Sequence, residues 1–220
     1  MSFENVDYLI NYIADLGVDK AFIVYGAANG DIVDAFTRTN KIQYVAVMHE
    51  QAGGFAAEGY AKTKKVPGIA IATSGPGGMN LVTPIGNCYY DSVPAIFITG
   101  QVNSKFMRKS REIRQVGFQE TPVSDSFRHF TKFSKKINDV DEFEVTLKKA
   151  IISCFENRPG PSIIDIPFNI QNSYLNTNKV TKFKLEKHNI KIKDSDIKYI
   201  LDKLKISKRP LLILGHGVKL

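Results

Sequence analysis

Apolar positions along the chain alternate between two periods. Val6, Leu9, Ile10, Ile13 and Leu16 recur at helical spacing, and Gly17 stands where such a helix would be capped. The short apolar run AFIVY (21–25) follows and ends at Gly26. Next come the helix-like DIVDAFTR (31–38), the strand-like IQYVAVM (42–48) and an Ala/Gly-rich helix, QAGGFAAEGYAKTKK (51–65). The strand GIAIAT (68–73), a helix from about Gly78 and the strand PAIFIT (94–99) continue the alternation. VDEFEVTLKKAIISCFE (140–156) and PSIIDIP (161–167) repeat the helix-then-strand order. Continuous apolar strands separated by helices predict an α/β fold: a doubly wound, mostly parallel sheet with helices on both faces.

In such a sheet, ligands bind at the carboxyl ends of the strands. Those ends read YGAANGD (25–31), MHEQAGG (48–54), TSGPGGMN (73–80) and TGQVNS (99–104), so four loops share one rim. The rim does not read as a nucleotide site. GPGGMN places Asn80 where GxGxxG needs glycine, and no GKS or GKT follows. Glu50 stands out, because it follows an apolar strand and precedes a helix whose first turns offer only small residues. One reading is a helix-capping carboxylate, stabilising by a few tenths to about 1 kcal/mol. The other is a carboxyl group in a tight pocket, tuned for proton transfer. The stretch by itself leaves both open.

The net charge of +8 raises the question of nucleic acid. Residues 1–130 carry equal numbers of basic and acidic side chains, so the excess lies in the tail, away from the glycine loops. That tail, KVTKFKLEKHNIKIKD (179–194), lacks the aromatic interleaving of a single-strand binding surface and reads as a solvated basic face. No nucleic-acid partner is expected. Cys88 and Cys154 belong to no CxxC pair and read as buried thiols of a reducing compartment. The acidic N-terminus lacks the pattern of a signal peptide, and no apolar run approaches the roughly 20 residues of a membrane span. A cytoplasmic protein without a membrane partner is the expectation.

Glu50, the GPG loop with Asn80, and DSVPAIFITGQ (91–101) occur in one order at close spacing. Together they resemble the N-terminal pyrimidine-binding domain of thiamine-diphosphate enzymes, most closely that of the acetolactate synthase large subunit. The resemblance covers roughly residues 3–170, and it continues through GFQE (117–120) and NRPGPSIIDIP (157–167). It implies that Glu50 hydrogen-bonds a pyrimidine ring nitrogen of thiamine diphosphate and promotes the imino tautomer that deprotonates the thiazolium carbon. It further implies that Thr73, Pro76, Gly77 and Asn80 line the pyrimidine ring and that Gln101 reaches the same pocket. Phe118 and Gln119 match a motif near the substrate channel. Their alternatives are a core phenylalanine and a plain loop residue, as Pro76 and Gly77 could form only a turn. The implied substrate is a 2-oxo acid such as pyruvate, decarboxylated and ligated to an acceptor.

The sequence also departs from that family. Ala27 and Ala28 stand where an aromatic residue and proline are usual, and the loop 103–120 is unusually basic, with Lys105, Arg108, Lys109, Arg111 and Arg114. That loop reads either as a solvated lid or as a cluster for an anionic acceptor such as a nucleotide-linked sugar. The domain expected to hold the diphosphate and Mg2+ is not legible in the chain, and FAD in a central domain is a further implication of the resemblance. The expected organisation is a pyrimidine-binding domain (1–170), a linker (171–193) and the start of a central domain (194–220), where DSDIKYILDKLKI reads as helix and RPLLILG as strand. The chain thus reads as the front of a longer enzyme, inactive by itself and active as a homodimer or homotetramer. The alternatives are another 2-oxo acid decarboxylase, an acyl transferase acting on a sugar, or a non-catalytic binding module.

Overall fold

A computed structural model describes residues 4–175 and 192–219. Contacts divide the chain into two compact units, Met1–Phe183 and Lys184–Leu220. In the first unit, α1 (Asn5–Asp15) buries Val6, Leu9, Ile10 and Ile13 completely, and Gly17 follows it at φ 90°. The helical spacing of those four residues therefore is the packing face. Strand β1 (Lys20–Ile23) leads to α2 (Gly30–Ala35) and β2 (Gln43–Ala46). Helix α3 (Glu50–Lys64), strand β3 (Gly68–Ala72), two short helices α4 (Pro76–Met79) and α5 (Val82–Tyr90), and strand β4 (Ala95–Gln101) come next. After α6 (Val123–Ser126), β5 (Phe133–Lys136), α7 (Phe143–Phe155) and β6 (Pro161–Pro167), helix α8 (Phe168–Gln171) completes the layer.

Six strands form one parallel sheet in the order β2-β1-β3-β4-β6-β5. Every residue of β3, β4 and β6 is buried, as expected of strands covered on both faces. Around them Ala57, Leu81, Ile85, Phe97, Phe127 and Ile163 make one continuous core. The chain order reverses about β1, which lies between β2 and β3, so the switch point of this sheet falls where the loops after β1 and β3 meet.

Three expectations change. β2 reads as an apolar strand but is exposed at every residue, because it is an edge strand with β1 as its one partner. β5, with sequence FSKK, is a strand that no apolar pattern announces; it pairs with β6 from Phe133↔Ser162 to Lys136↔Asp165. The helix expected from Gly78 begins at Pro76 and is broken into α4 and α5 at Asn80–Leu81. Packing of the first unit reaches beyond residue 170, through the bridge Glu4↔Tyr174 and Leu175.

In the second unit, α9 (Asp194–Ile206) forms as its periodicity predicts. RPLLILG does not form a strand: Leu211, Leu212, Ile213 and Leu214 are 67–84% exposed, and no described strand pairs with them. A strand needs a neighbour for its backbone groups, and an apolar run supplies none. The lysine-rich linker lies mostly outside the described residues.

Candidate functional site

Each rim residue owes its position to a strand end. β2 delivers the chain to α3, where His49 is the N-cap and its ring Nδ1 accepts from the backbone N–H of Gln51 at 3.1 Å. The capping role considered for Glu50 is therefore filled by its neighbour. Glu50 is left as a half-buried carboxylate in the first helical turn. The small residues after it serve helix packing: a Cβ at Gly54 would lie 2.4 Å from the Pro84 ring of α5.

Across from Glu50, Thr73 follows the last residue of β3 and the chain turns through Gly75 into α4. Asn80 Nδ2 donates to Glu50 Oε2 at 2.9 Å, joining residues 30 positions apart. Oε1 takes no hydrogen bond among the described residues and faces Gly77, where a Cβ would come within 3.1 Å of it and 2.8 Å of the Thr73 methyl. Glycine at 77 thus leaves space directly over the open oxygen. Thr73 Oγ1 accepts from the backbone N–H of Ala28 at 3.2 Å, which ties the β1 and β3 loops together at the switch point. Pro76 is exposed at the first position of α4.

Thr73 also belongs to a second feature, an open cavity of about 340 Å³ whose lining includes Ala28, Gln101, Phe118, Gln119 and Phe168. The structure therefore sorts the expected residues into two adjoining groups. Glu50, Gly77 and Asn80 surround an open carboxylate oxygen; Gln101, Phe118 and Gln119 line a largely apolar cleft; Thr73 borders both. Phe118 is 77% exposed, so it is no core residue. Gln119 sits at φ 58°, a left-handed conformation costly for a residue with a Cβ. It is locked by Gly75 at φ 63°, where a Cβ would stand 2.7 Å from that of Gln119. Gln101 is fully buried, and its amide is committed: Nε2 donates to Thr121 O at 2.8 Å and Asp165 Oδ2 at 3.0 Å, while Oε1 accepts from Val102 N at 3.0 Å.

Sequence reasoning did not single out Asp165, Glu120 or Phe168. Asp165 is fully buried in β6, where Thr99 Oγ1 donates to it at 2.7 Å alongside Gln101. Burial pushes its carboxyl up to about 7, against the pull of those two donors and of the Lys136 charge. A charged residue inside the apolar run IIDIP was the available signal. Glu120 accepts from the backbone N–H of Arg108 at 2.9 Å and of Val116 at 3.0 Å, pinning the basic loop at two points. The two cysteines are buried and free, and burial raises both thiols, Cys154 to about 12. No helix of the described residues is long and apolar enough to cross a membrane, and none of their side chains cluster as a metal site.

Residues 4–126 match the family described as thiamine pyrophosphate enzyme, N-terminal TPP binding domain. The chain is 40% identical over 215 residues to acetolactate synthase 2, chloroplastic, of Brassica napus, covering 96% of this chain and 33% of that protein. It is 36% identical over 218 residues to acetolactate synthase, chloroplastic, of Arabidopsis thaliana, covering 97% and 32% respectively. The chain spans about a third of the length of the curated relatives it matches. The matched residues contain β1 to β4, and so the whole surround of Glu50; by that match the chain belongs to the thiamine pyrophosphate enzymes, through their N-terminal TPP binding domain.

Proposed function

We propose that this chain is the pyrimidine-activating part of an acetolactate-synthase-like enzyme, which decarboxylates a 2-oxo acid such as pyruvate and ligates the product to an acceptor. One observation carries the reading: the Glu50 carboxylate has one oxygen held by Asn80 and the other open above Gly77. The residues present fit the aminopyrimidine half of thiamine diphosphate, since an open acceptor beside a cradle that a Cβ would fill suits a flat ring bearing an N–H. When bound, thiamine diphosphate supplies an electron sink for the loss of carbon dioxide. Glu50 Oε1 would hold a proton in common with the ring nitrogen, Asn80 would keep the carboxylate aimed, and Thr73 with Gly77 would bound the ring. The cleft lined by Phe118 and Gln119 would admit the 2-oxo acid and shield it from water.

Mg2+ and FAD enter this proposal on the family resemblance, and a cytoplasmic location on the two free, buried cysteines. A homodimer or homotetramer is supported by large apolar side chains near Glu50 and Asn80 in the chain: Met48 is 100% exposed, and Phe55, Met79 and Val82 are also exposed. A second reading, an acceptor bulkier than pyruvate, is supported by Ala27 and Ala28, whose small side chains form part of the cleft wall. Assaying pyruvate consumption with and without a second acceptor separates the two.

Proton–deuterium exchange at the thiazolium carbon, measured in the complete enzyme, tests the central claim. Glu50→Gln keeps an acceptor for Asn80 but removes the charge, and exchange should slow by at least two orders of magnitude. An exchange rate equal to wild type would remove Glu50 from cofactor activation.

A further inference from the structure

A second concavity, about 420 Å³, opens between the basic loop and the edge of the sheet at β5 and β6. Its lining is cationic, with Arg108, Lys109, Arg111, Arg128, Lys135 and Lys136 facing three carboxyl groups. Three of those cations are neutralised locally. Arg108 approaches Glu120 at 4.0 Å, Arg128 pairs with Asp125 at 3.1 Å, and Lys135 pairs with Glu142 at 2.5 Å. Lys109, Arg111 and Lys136 form no ion pair among the described residues; Lys136 Nζ contacts Met107 Sδ at 3.6 Å, and its charge acts on the buried Asp165 carboxyl. The lining therefore carries a surplus of positive charge.

The loop is also built to hold its shape. Besides the Glu120 carboxylate that accepts from Arg108 N and Val116 N, the Arg108 guanidinium donates to the carbonyls of Ile113 and Arg114, each at 3.3 Å. A merely solvated lid has no need of a buried glutamate clasping it at two points. The floor includes Asp165, whose carboxyl carries a proton up to about neutral pH and so does not cancel the cations below it.

We infer that this pocket binds a small phosphorylated molecule with two or more negative charges and no aromatic ring. Size and lining narrow the class. A volume of about 420 Å³ exceeds what a single inorganic ion fills and falls in the range of small-molecule sites. Forked guanidinium and ammonium donors together with the Ser110 hydroxyl suit phosphate oxygens. No aromatic side chain lines the pocket, so a nucleobase would find nothing to stack on. The cleft of the proposed carboligase lies elsewhere, lined by Thr73 and Phe118, and the inference does not rest on that reading.

Titration calorimetry of the full chain with pyrophosphate, orthophosphate and ADP at constant ionic strength tests it. Pyrophosphate should bind at least tenfold tighter than orthophosphate, and ADP no tighter than pyrophosphate. The double variant Lys109→Ala/Arg111→Ala changes only exposed loop residues, and it should weaken pyrophosphate at least tenfold, as should Lys136→Met. Glu50→Gln should leave that affinity within twofold. Affinity within twofold of wild type in both cationic variants, or no binding of any probe, overturns the inference; ADP binding tenfold tighter than pyrophosphate overturns the assigned class.

Discussion

Two carboxyl groups stand near the carboxyl ends of this sheet, and their surroundings differ in kind. Asp165 is sealed in β6, with each oxygen satisfied by a neutral donor, Thr99 on one side and Gln101 on the other. Glu50 is half-buried, with one oxygen held by Asn80 and the other facing a glycine. Position on the rim does not distinguish them. Unspent accepting capacity does: each Asp165 oxygen already takes a hydrogen bond, whereas Glu50 retains an oxygen with none among the described residues. By this comparison Asp165 braces the rim, through Gln101, and Glu50 has the free oxygen that its proposed role in chemistry requires.

The sharpest way to break this comparison is to neutralise each carboxyl in turn. Glu50→Gln in the complete enzyme should lower turnover by about 10²–10⁴-fold, while its unfolding midpoint in denaturant stays near wild type. Equal losses of stability and turnover would show that Glu50 is structural.

Asp165→Asn should behave in the opposite way. The folded carboxyl titrates near 7 and its ordinary value is 3.8, so between those pH values the folded state binds more protons than the unfolded state. Stability must then fall as pH rises from about 4 to 7, by at most about 1.4 kcal/mol per pH unit. Asparagine is uncharged like the protonated acid: its Oδ1 accepts from Gln101, and its Nδ2 donates to Thr99 Oγ1 once that hydroxyl, a donor in wild type, turns away. The variant should match wild type near pH 4 and exceed it by roughly 2–4 kcal/mol at pH 8. Denaturant titrations at the two pH values read this directly, and a wild-type stability independent of pH would place Asp165 outside the buried, protonated class.

How far the sequence disclosed this arrangement depends on which forces set each part. β3, β4 and β6 were legible because burial on both faces imposes an unbroken apolar run. β5 was not, since an edge strand of Phe, Ser and two lysines needs only one partner and no apolar pattern. RPLLILG has the run, but no strand of the described residues pairs with it, and hydrophobicity does not report pairing. Glu50 was legible as a lone carboxylate between an apolar strand and a small-residue helix. Its bond to Asn80 was not legible at all: the resemblance placed both residues at the pyrimidine ring but not in contact, because two loops 30 residues apart meet only once the sheet is assembled. Asp165 was hidden for a related reason: which donors face a buried acid is set by the β4–β6 register, which aligns Thr99 with Asp165.

A smaller effect is expected at the residue that aims Glu50. Asn80→Ala removes a charge-assisted hydrogen bond, but water can reach a half-buried carboxylate and replace part of it. Turnover should fall by about tenfold, well short of Glu50→Gln. A loss equal to that of Glu50→Gln would mean that orientation, rather than charge, limits the reaction.

The smallest effect on the fold belongs to Phe118, where the contrast between spent and unspent groups extends to an apolar side chain. Phe118 lines the cleft but is 77% exposed, so its ring contributes little to the core of this domain. Phe118→Ala should leave stability within about 0.5 kcal/mol of wild type. Removing the ring from the cleft wall should raise KM for the 2-oxo acid by roughly three- to tenfold while kcat changes less, because the lost contact serves ground state and transition state alike. Steady-state kinetics of the complete enzyme separates the outcomes. A fall in kcat with KM unchanged would make Phe118 a group that acts in the transition state, and unchanged kinetics would leave its exposed ring to a subunit contact.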